Sequence, residues 1–188
     1  MTDIMIDLET VDTKESAMIL SIGAVPFNPD EPAMDAESFD MYLSDSFLMS
    51  LDLSTQAGRT VSNDTIMWWM NQDARAQAAM DGTIQLYDAL VALIDFIKDY
   101  KGENILANSP SFDLRILEHA FKQYGLTTPW VFYNEQDVRT LSKCVFPEGK
   151  PSAPFAGQMI AHRADHDCVY QCWLVQEAMD VIQKGRGE

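Results

Sequence analysis

Two carboxylates set inside an apolar strand constrain this chain more than any other feature. Ile4, Ile6 and Leu8 alternate with Met5, Asp7 and Glu9, a period of two that predicts a β-strand with both acids leaving the same face. Charges in such a setting are costly unless they are paired or bound to a metal. Oxygen donors at this spacing can share one hard cation, so the pair is a candidate Mg²⁺ site. The competing interpretation is an edge strand with two solvated acids, and only the rest of the chain separates the two.

The segments that follow predict a sheet covered by helices. Residues 17–27 read as a second strand ending at the turn Asn28-Pro29-Asp30-Glu31-Pro32, and residues 38–43 as a third, giving an antiparallel meander. Residues 44–82 carry polar turns and then a helix that starts near Ser62-Asn63-Asp64 and includes Trp68 and Trp69. Leu86, Leu90, Leu93 and Ile97 recur at helical intervals up to Lys101-Gly102, where the glycine is expected to cap the helix. Residues 104–108 form a short apolar strand, and Leu114, Leu117, Phe121 and Tyr124 mark a helix ended by Gly125. Asp113 therefore falls where strand gives way to helix. Residues 130–133 are expected to form another short strand, 147–157 a Pro- and Gly-containing loop, and 165–183 a final helix. The sum is a mixed α/β fold. With 188 residues and 47% hydrophobic composition, residues 1–188 are expected to form one domain.

Composition narrows the partners. A net charge of −16 argues against wrapping a long duplex, because such binders neutralise phosphates with Lys and Arg. Nucleic acid would be held locally, with divalent cations supplying positive charge where carboxylates cluster. The same acidity also suits an interaction protein that mimics nucleic acid, or simply a solubilising surface. Cys144, Cys168 and Cys172 suggest neither a disulfide framework nor a structural zinc site, which fits a cytoplasmic location. The N-terminus lacks signal-peptide character and no apolar run is long enough to span a bilayer, so no membrane partner is expected.

Three further residues carry chemistry. Asp113 either caps the helix it opens or faces a ligand. His162 is either a hydrogen-bonding residue at a helix start or a base of near-neutral pKa. His162 and His166, four apart and near Cys168, also permit a zinc site, although no Glu and no matching ligand pair accompany them.

Taken in order, Asp7-x-Glu9, Phe112-Asp113 and His162-x-Ala164-x-x-Asp167 resemble the DEDDh class of 3′-to-5′ exonucleases. The tyrosine branch of that superfamily would need Tyr where Arg163 stands, so the histidine branch is the match. Ile6-Asp7-Leu8-Glu9-Thr10, Ser21-Ile22-Gly23-Ala24-Val25, Trp68-Trp69 and Asp137-Val138-Arg139-Thr140-Leu141 are similar to segments of phage exonuclease A and related bacterial exoribonucleases. Pro110 departs from the family pattern, and Asp165 competes with Asp167 for the last ligand position, with Ala164 favouring Asp167.

The resemblance implies a ribonuclease-H-like mixed sheet in which the meander is extended by parallel strands and flanked by helices. It implies that Asp7, Glu9, Asp113 and Asp167 bind two Mg²⁺ or Mn²⁺ ions and that His162 activates water. It also implies that Leu8, Thr10 and Phe112 contact the terminal nucleotide at the 3′ end of single-stranded RNA or DNA. Nucleoside 5′-monophosphates would be released, and related enzymes are often homodimers. Phe112 reads equally well as a core residue, and an internally cutting ribonuclease-H-like endonuclease is the rival enzyme. Trp68 and Trp69 cannot share a helix face, so one is expected in the core and the other over the substrate.

Overall fold

The computed structural model describes residues 2–186. Five strands, β1 (Asp3–Thr10), β2 (Ile19–Phe27), β3 (Phe47–Ser50), β4 (Ile105–Ala107) and β5 (Glu135–Asp137), form one sheet in the order β3-β2-β1-β4-β5. β1 and β2 are antiparallel, as are β2 and β3, while β4 and β5 run parallel to β1. The expected mixed sheet is present, with β1 at its centre and not at its edge.

Among the described residues seven α-helices accompany the sheet: α1 (Ser38–Ser44), α2 (Asn63–Trp69), α3 (Ala74–Gln77), α4 (Leu86–Asp99), α5 (Asp113–Gln123), α6 (Val138–Val145) and α7 (Ala164–Arg186). Alternation along β1 feeds two cores. Ile4, Ile6 and Leu8 pack with Leu90 and Leu93 of α4 and Leu114 and Leu117 of α5. Met5 points the other way, toward Val169, Cys172 and Trp173 of α7 and Phe39 of α1. Burial on both faces is what a central strand of a sheet covered by helices on both sides requires. Asp7 and Glu9 share the Met5 side of the pleat, beneath the start of α7.

Four local expectations are corrected. Residues 38–43 are helical: Phe39, Tyr42 and Leu43 reach the core at helical spacing while Met41 is exposed, and Asp35 accepts from the Glu37 and Ser38 amides to start the turn. The third strand is Phe47–Ser50 instead. Residues 130–133 are not a strand, since Phe132–Asn134 forms a 3₁₀ turn and polar Glu135–Asp137 supplies the edge strand. At the end of α4, Lys101 takes the left-handed conformation with φ 51°. Gly102 is needed for a different reason: a Cβ there would stand 2.5 Å from Ile4 Cγ1. Finally, α6 was not expected from periodicity; Asp137 caps it by accepting from the Thr140 amide at 2.8 Å. No helix among the described residues is long and apolar enough to cross a membrane.

Candidate active site

The site is assembled where β1 meets the N-terminus of α7. Asp7 pairs across the sheet with Gly23, and the β1–β2 register shifts between Glu9 and Thr10. A Cβ on Gly23 would lie 2.4 Å from the Ala164 carbonyl carbon, so only glycine lets α7 settle directly on β2. Ala164 is itself fully buried. This close approach carries His162 and Asp167 over the two carboxylates of β1.

Asp113 arrives from the opposite side. β4 pairs with β1 only at Ile4 and Met5, which leaves later amides of β1 without a strand partner on that side. The Leu8 amide donates to Asp113 Oδ1 at 3.2 Å, so the Asp113 carboxylate is tied to β1 and does not cap α5 through the N-cap position. Pro110 is accommodated by a tight turn in which the Ser109 carbonyl accepts from the Phe112 and Asp113 amides.

His162 adopts φ 61°, a left-handed conformation uncommon for a side chain of its size, and its amide donates to Asp167 Oδ2 at 3.0 Å. Ligand atoms of Glu9, His162 and Asp167 all lie within 4.8 Å of one another. Asp165 is engaged elsewhere, in a two-point pair with Arg163 at 2.8 and 3.0 Å. His166 Nδ1 accepts from the Ile160 amide and its ring meets Phe39 edge-on, which takes it away from His162 and removes the zinc alternative.

A pocket of about 350 Å³ lies over these groups and is lined by Asp7, Glu9, Asp113, Asp167 and His162 together with Asn108, Arg139, Lys150 and Gln171. Glu9 is 7% exposed and Asp113 4%. Burial first, and then the charges of Asp113, Glu9 and Asp167, push the Asp7 carboxyl well above the ordinary carboxylate range. Burial and the same kind of repulsion raise Glu9 to about 9. Asp113 rises to about 7 and Asp167 to about 6, mainly through burial, with amide donors opposing the shift. Four acids held together at this depth ionise together only with a cation of high charge density among them. Their oxygens are the donors Mg²⁺ and Mn²⁺ prefer, so the residue set fits divalent ions. Burial lowers the His162 pKa, which keeps the ring neutral near pH 7.

A second cleft of about 380 Å³ adjoins the first and shares Leu8, Glu9 and Phe112 with it. Thr10, Trp68 and Trp69 complete its apolar wall. Trp69 is the core member of the pair, 1% exposed, with Nε1 donating to the Thr10 carbonyl at 2.8 Å. Trp68 is 43% exposed and its ring stands edge-on to His162 at 4.7 Å. Phe112 is half-buried between the two clefts, so it is not simply a core residue.

Residues 2–179 match the 3′-5′ exoribonuclease Rv2179c-like domain. The chain belongs to this family. Among relatives of the Rv2179c-like chain, the exodeoxyribonuclease of Enterobacteria phage T4 is 26% identical over 212 residues, covering 95% of this chain and 89% of the phage protein. The fold is shared with the nuclease domain of 3′hExo, a DEDDh family member solved with rAMP bound, at a TM-score of 0.54 and 14% identity over 95% of this chain and 92% of that one. The Rv2179c-like chain thus belongs to a 3′-5′ exonuclease family and has the ribonuclease-H-like fold of a DEDDh nuclease domain, and DEDDh nucleases use divalent metal ions.

Asp7, Glu9, Asp113, Asp167 and His162 line one pocket of this Rv2179c-like domain, whereas Asp165 and His166 do not. Several neighbours were not anticipated. Gln171 donates to Asp7 Oδ1 at 2.7 Å, and its position four residues after Asp167 on one helix face could have flagged it. Arg139 lies in a segment noted only for its resemblance, while Asn108, Lys150 and Tyr170 carry no local signal and reach the pocket only through the tertiary fold.

Proposed function

We propose that this chain hydrolyses the terminal phosphodiester bond at the 3′ end of single-stranded RNA or DNA and releases nucleoside 5′-monophosphates. Asp7, Glu9, Asp113 and Asp167 hold two Mg²⁺ or Mn²⁺ ions, and residues 1–188 act as one exonuclease domain. The proximity of Glu9, His162 and Asp167, with ligand atoms within 4.8 Å, is the observation that carries this proposal. Divalent cations held by these carboxylates would supply positive charge to the attacking and leaving oxygens of an in-line displacement at phosphorus.

The side chains do the remaining work. His162, kept neutral by burial, takes the proton from the attacking water. The amide of His162 on Asp167 fixes the loop that presents the ring. Leu8, Thr10 and Phe112 receive the terminal nucleoside in the apolar cleft beside the carboxylates, with Phe112 stacking on or wedging against a base. The charge of −16 favours a single-stranded end over a duplex, because little basic surface is available to follow two backbones. Three free thiols accord with action in the reducing cytoplasm, and a homodimer, as in related enzymes, is part of the proposal.

Single strands of RNA and DNA labelled at either end, incubated with Mg²⁺, Mn²⁺ or chelator, test it. The expected result is a descending ladder from the 5′ label, immediate mononucleotide release from the 3′ label, and silence in chelator. Digestion of circular or 3′-blocked strands would assign the chain to the endonucleases instead. Sedimentation of the intact protein reads the dimer.

A further inference from the structure

The pocket over the carboxylates holds two cations that the catalytic scheme leaves unused. Arg139 is the second residue of α6 and Lys150 lies five residues beyond the end of that helix, yet both line the same pocket as Asp7 and Asp167. Asn108 joins them: its carbonyl accepts from the Arg139 amide at 3.1 Å, and its Oδ1 accepts from Lys150 Nζ at 3.2 Å. Both side chains are exposed at the pocket, and among the described residues neither forms an ion pair, in a chain with 29 acidic and 13 basic residues.

Two features of this arrangement are unfavourable without an anion. A cation in the first turn of a helix opposes the helix dipole. Partial burial of the Lys150 amine disfavours its protonation, and the Arg139 charge disfavours it further. Two like charges on one wall of a pocket, both able to donate to an anion, match the requirement of a bound phosphate. Among the nearby carboxylates Asp113 feels the Arg139 charge, yet among the described residues none forms an ion pair with either cation.

We propose that Arg139 and Lys150 form a phosphate subsite for the substrate strand, binding the first internal phosphate on the 5′ side of the bond being cut. The assignment rests on the exonuclease proposal and follows from the order of the clefts. The aromatic cleft takes the terminal nucleoside and the carboxylates face the scissile phosphate. The strand then leaves across the remaining wall of the pocket, where Asn108, Arg139 and Lys150 stand. The subsite reads charge and not base, so it sets affinity for a strand without selecting sequence.

The test uses Arg139→Gln, Lys150→Gln and the double variant with single strands carrying one methylphosphonate. In wild type, neutralising the first internal linkage is expected to raise KM about tenfold, the scale of a charge-assisted contact, with kcat nearly unchanged. The double variant should show a similar KM rise on ordinary strands and no further rise with that methylphosphonate. Its salt dependence should flatten by about 0.7 per lost contact in log–log slope. A methylphosphonate several linkages further 5′ should affect wild type and variant alike. Full additivity of variant and modification, or an unchanged KM and salt slope, would overturn the subsite. Equilibrium binding of labelled strands in chelator gives a separate arm. If wild type degrades no strand yet the double variant loses affinity, the subsite stands and the exonuclease proposal falls. Retained affinity with retained cleavage does the reverse.

Discussion

Gln171 donates its side-chain amide to Asp7 at 2.7 Å from a point one helical turn beyond Asp167, so a single helix supplies one acid of the site and orients another. Among the described residues the Gln171 side-chain oxygen is buried without a partner, which marks the side chain as placed for the Asp7 contact and not for a network of its own. Groups that orient metal ligands in this way commonly contribute ten- to a hundredfold in affinity or activity. Gln171→Leu is therefore expected to raise the Mg²⁺ concentration for half-maximal activity about tenfold while leaving the thermal midpoint in chelator close to wild type. Gln171→Glu, which adds a fifth acid, should fold less stably than the leucine variant at pH 8. A metal titration that superimposes wild type and Gln171→Leu would remove the orienting role.

The Gly23–Ala164 contact should be equally sensitive. Gly23→Ala forces a methyl to within 2.4 Å of backbone atoms, and overpacking of this kind costs about 1–3 kcal/mol or more. Denaturant melts are expected to show that loss, accompanied by a drop in nuclease activity as His162 and Asp167 are displaced. Because the clash is with main-chain atoms, trimming the neighbour in Gly23→Ala/Ala164→Gly should not restore either property. Full rescue by the second change would mean that α7 does not rest on β2 as described.

Stability without metal should depend on pH in an unusual direction. With Glu9 raised to about 9, Asp113 to about 7, Asp167 to about 6 and Asp7 also raised, the folded chain retains protons that the unfolded chain releases near pH 4. Between those limits the native state binds more protons, so its stability falls as pH rises. In chelator the melting temperature is expected to drop by several degrees from pH 5 to pH 8. Mg²⁺ should reverse most of that drop at pH 8 and little at pH 5, since it binds the deprotonated acids. Asp7→Asn removes one of the repelling groups: it should melt higher than wild type in chelator at pH 8, gain less from Mg²⁺ and lose hydrolysis. A chelator curve that rises toward pH 8 would contradict the buried cluster.

His162→Ala should slow turnover by about 10²-fold, the usual contribution of a general base. Burial lowers the His162 pKa, and a base must be deprotonated to act, so wild-type activity should persist below pH 6.5 before its acid limb is reached. The variant should lose that limb from its pH–rate profile at saturating metal. An identical profile in both proteins would take His162 out of the proton-transfer step.

How much of this was legible from residues alone depended on the range of the interactions. Asp7 and Glu9 were visible because a strand repeats every two residues, and Asp113 because it sits at a strand-to-helix junction. Their convergence with His162 and Asp167 rested on a family resemblance, since no local rule joins positions more than a hundred residues apart. Residues 38–43 misled because Phe39, Met41 and Leu43 alternate like a strand, whereas the tertiary core selects Phe39, Tyr42 and Leu43. Residues 130–133 misled because Phe132 and Tyr133 are aromatic yet exposed, at 77% and 73%, while the true edge strand is polar. Lys150 could not have been found without the fold, because the loop that carries it is brought to the pocket by packing elsewhere: Phe155 stacks on Phe39 with ring centroids 5.0 Å apart.

Because α7 covers one face of the sheet, the site is split between two bodies of the fold. Asp7, Glu9 and Asp113 stay with the sheet and α5, whereas Asp167 and Gln171 ride on α7 and His162 on the loop before it. Local undocking of α7 would thus leave three acids in place and carry off the fourth together with the histidine, so loss of function would precede loss of the sheet.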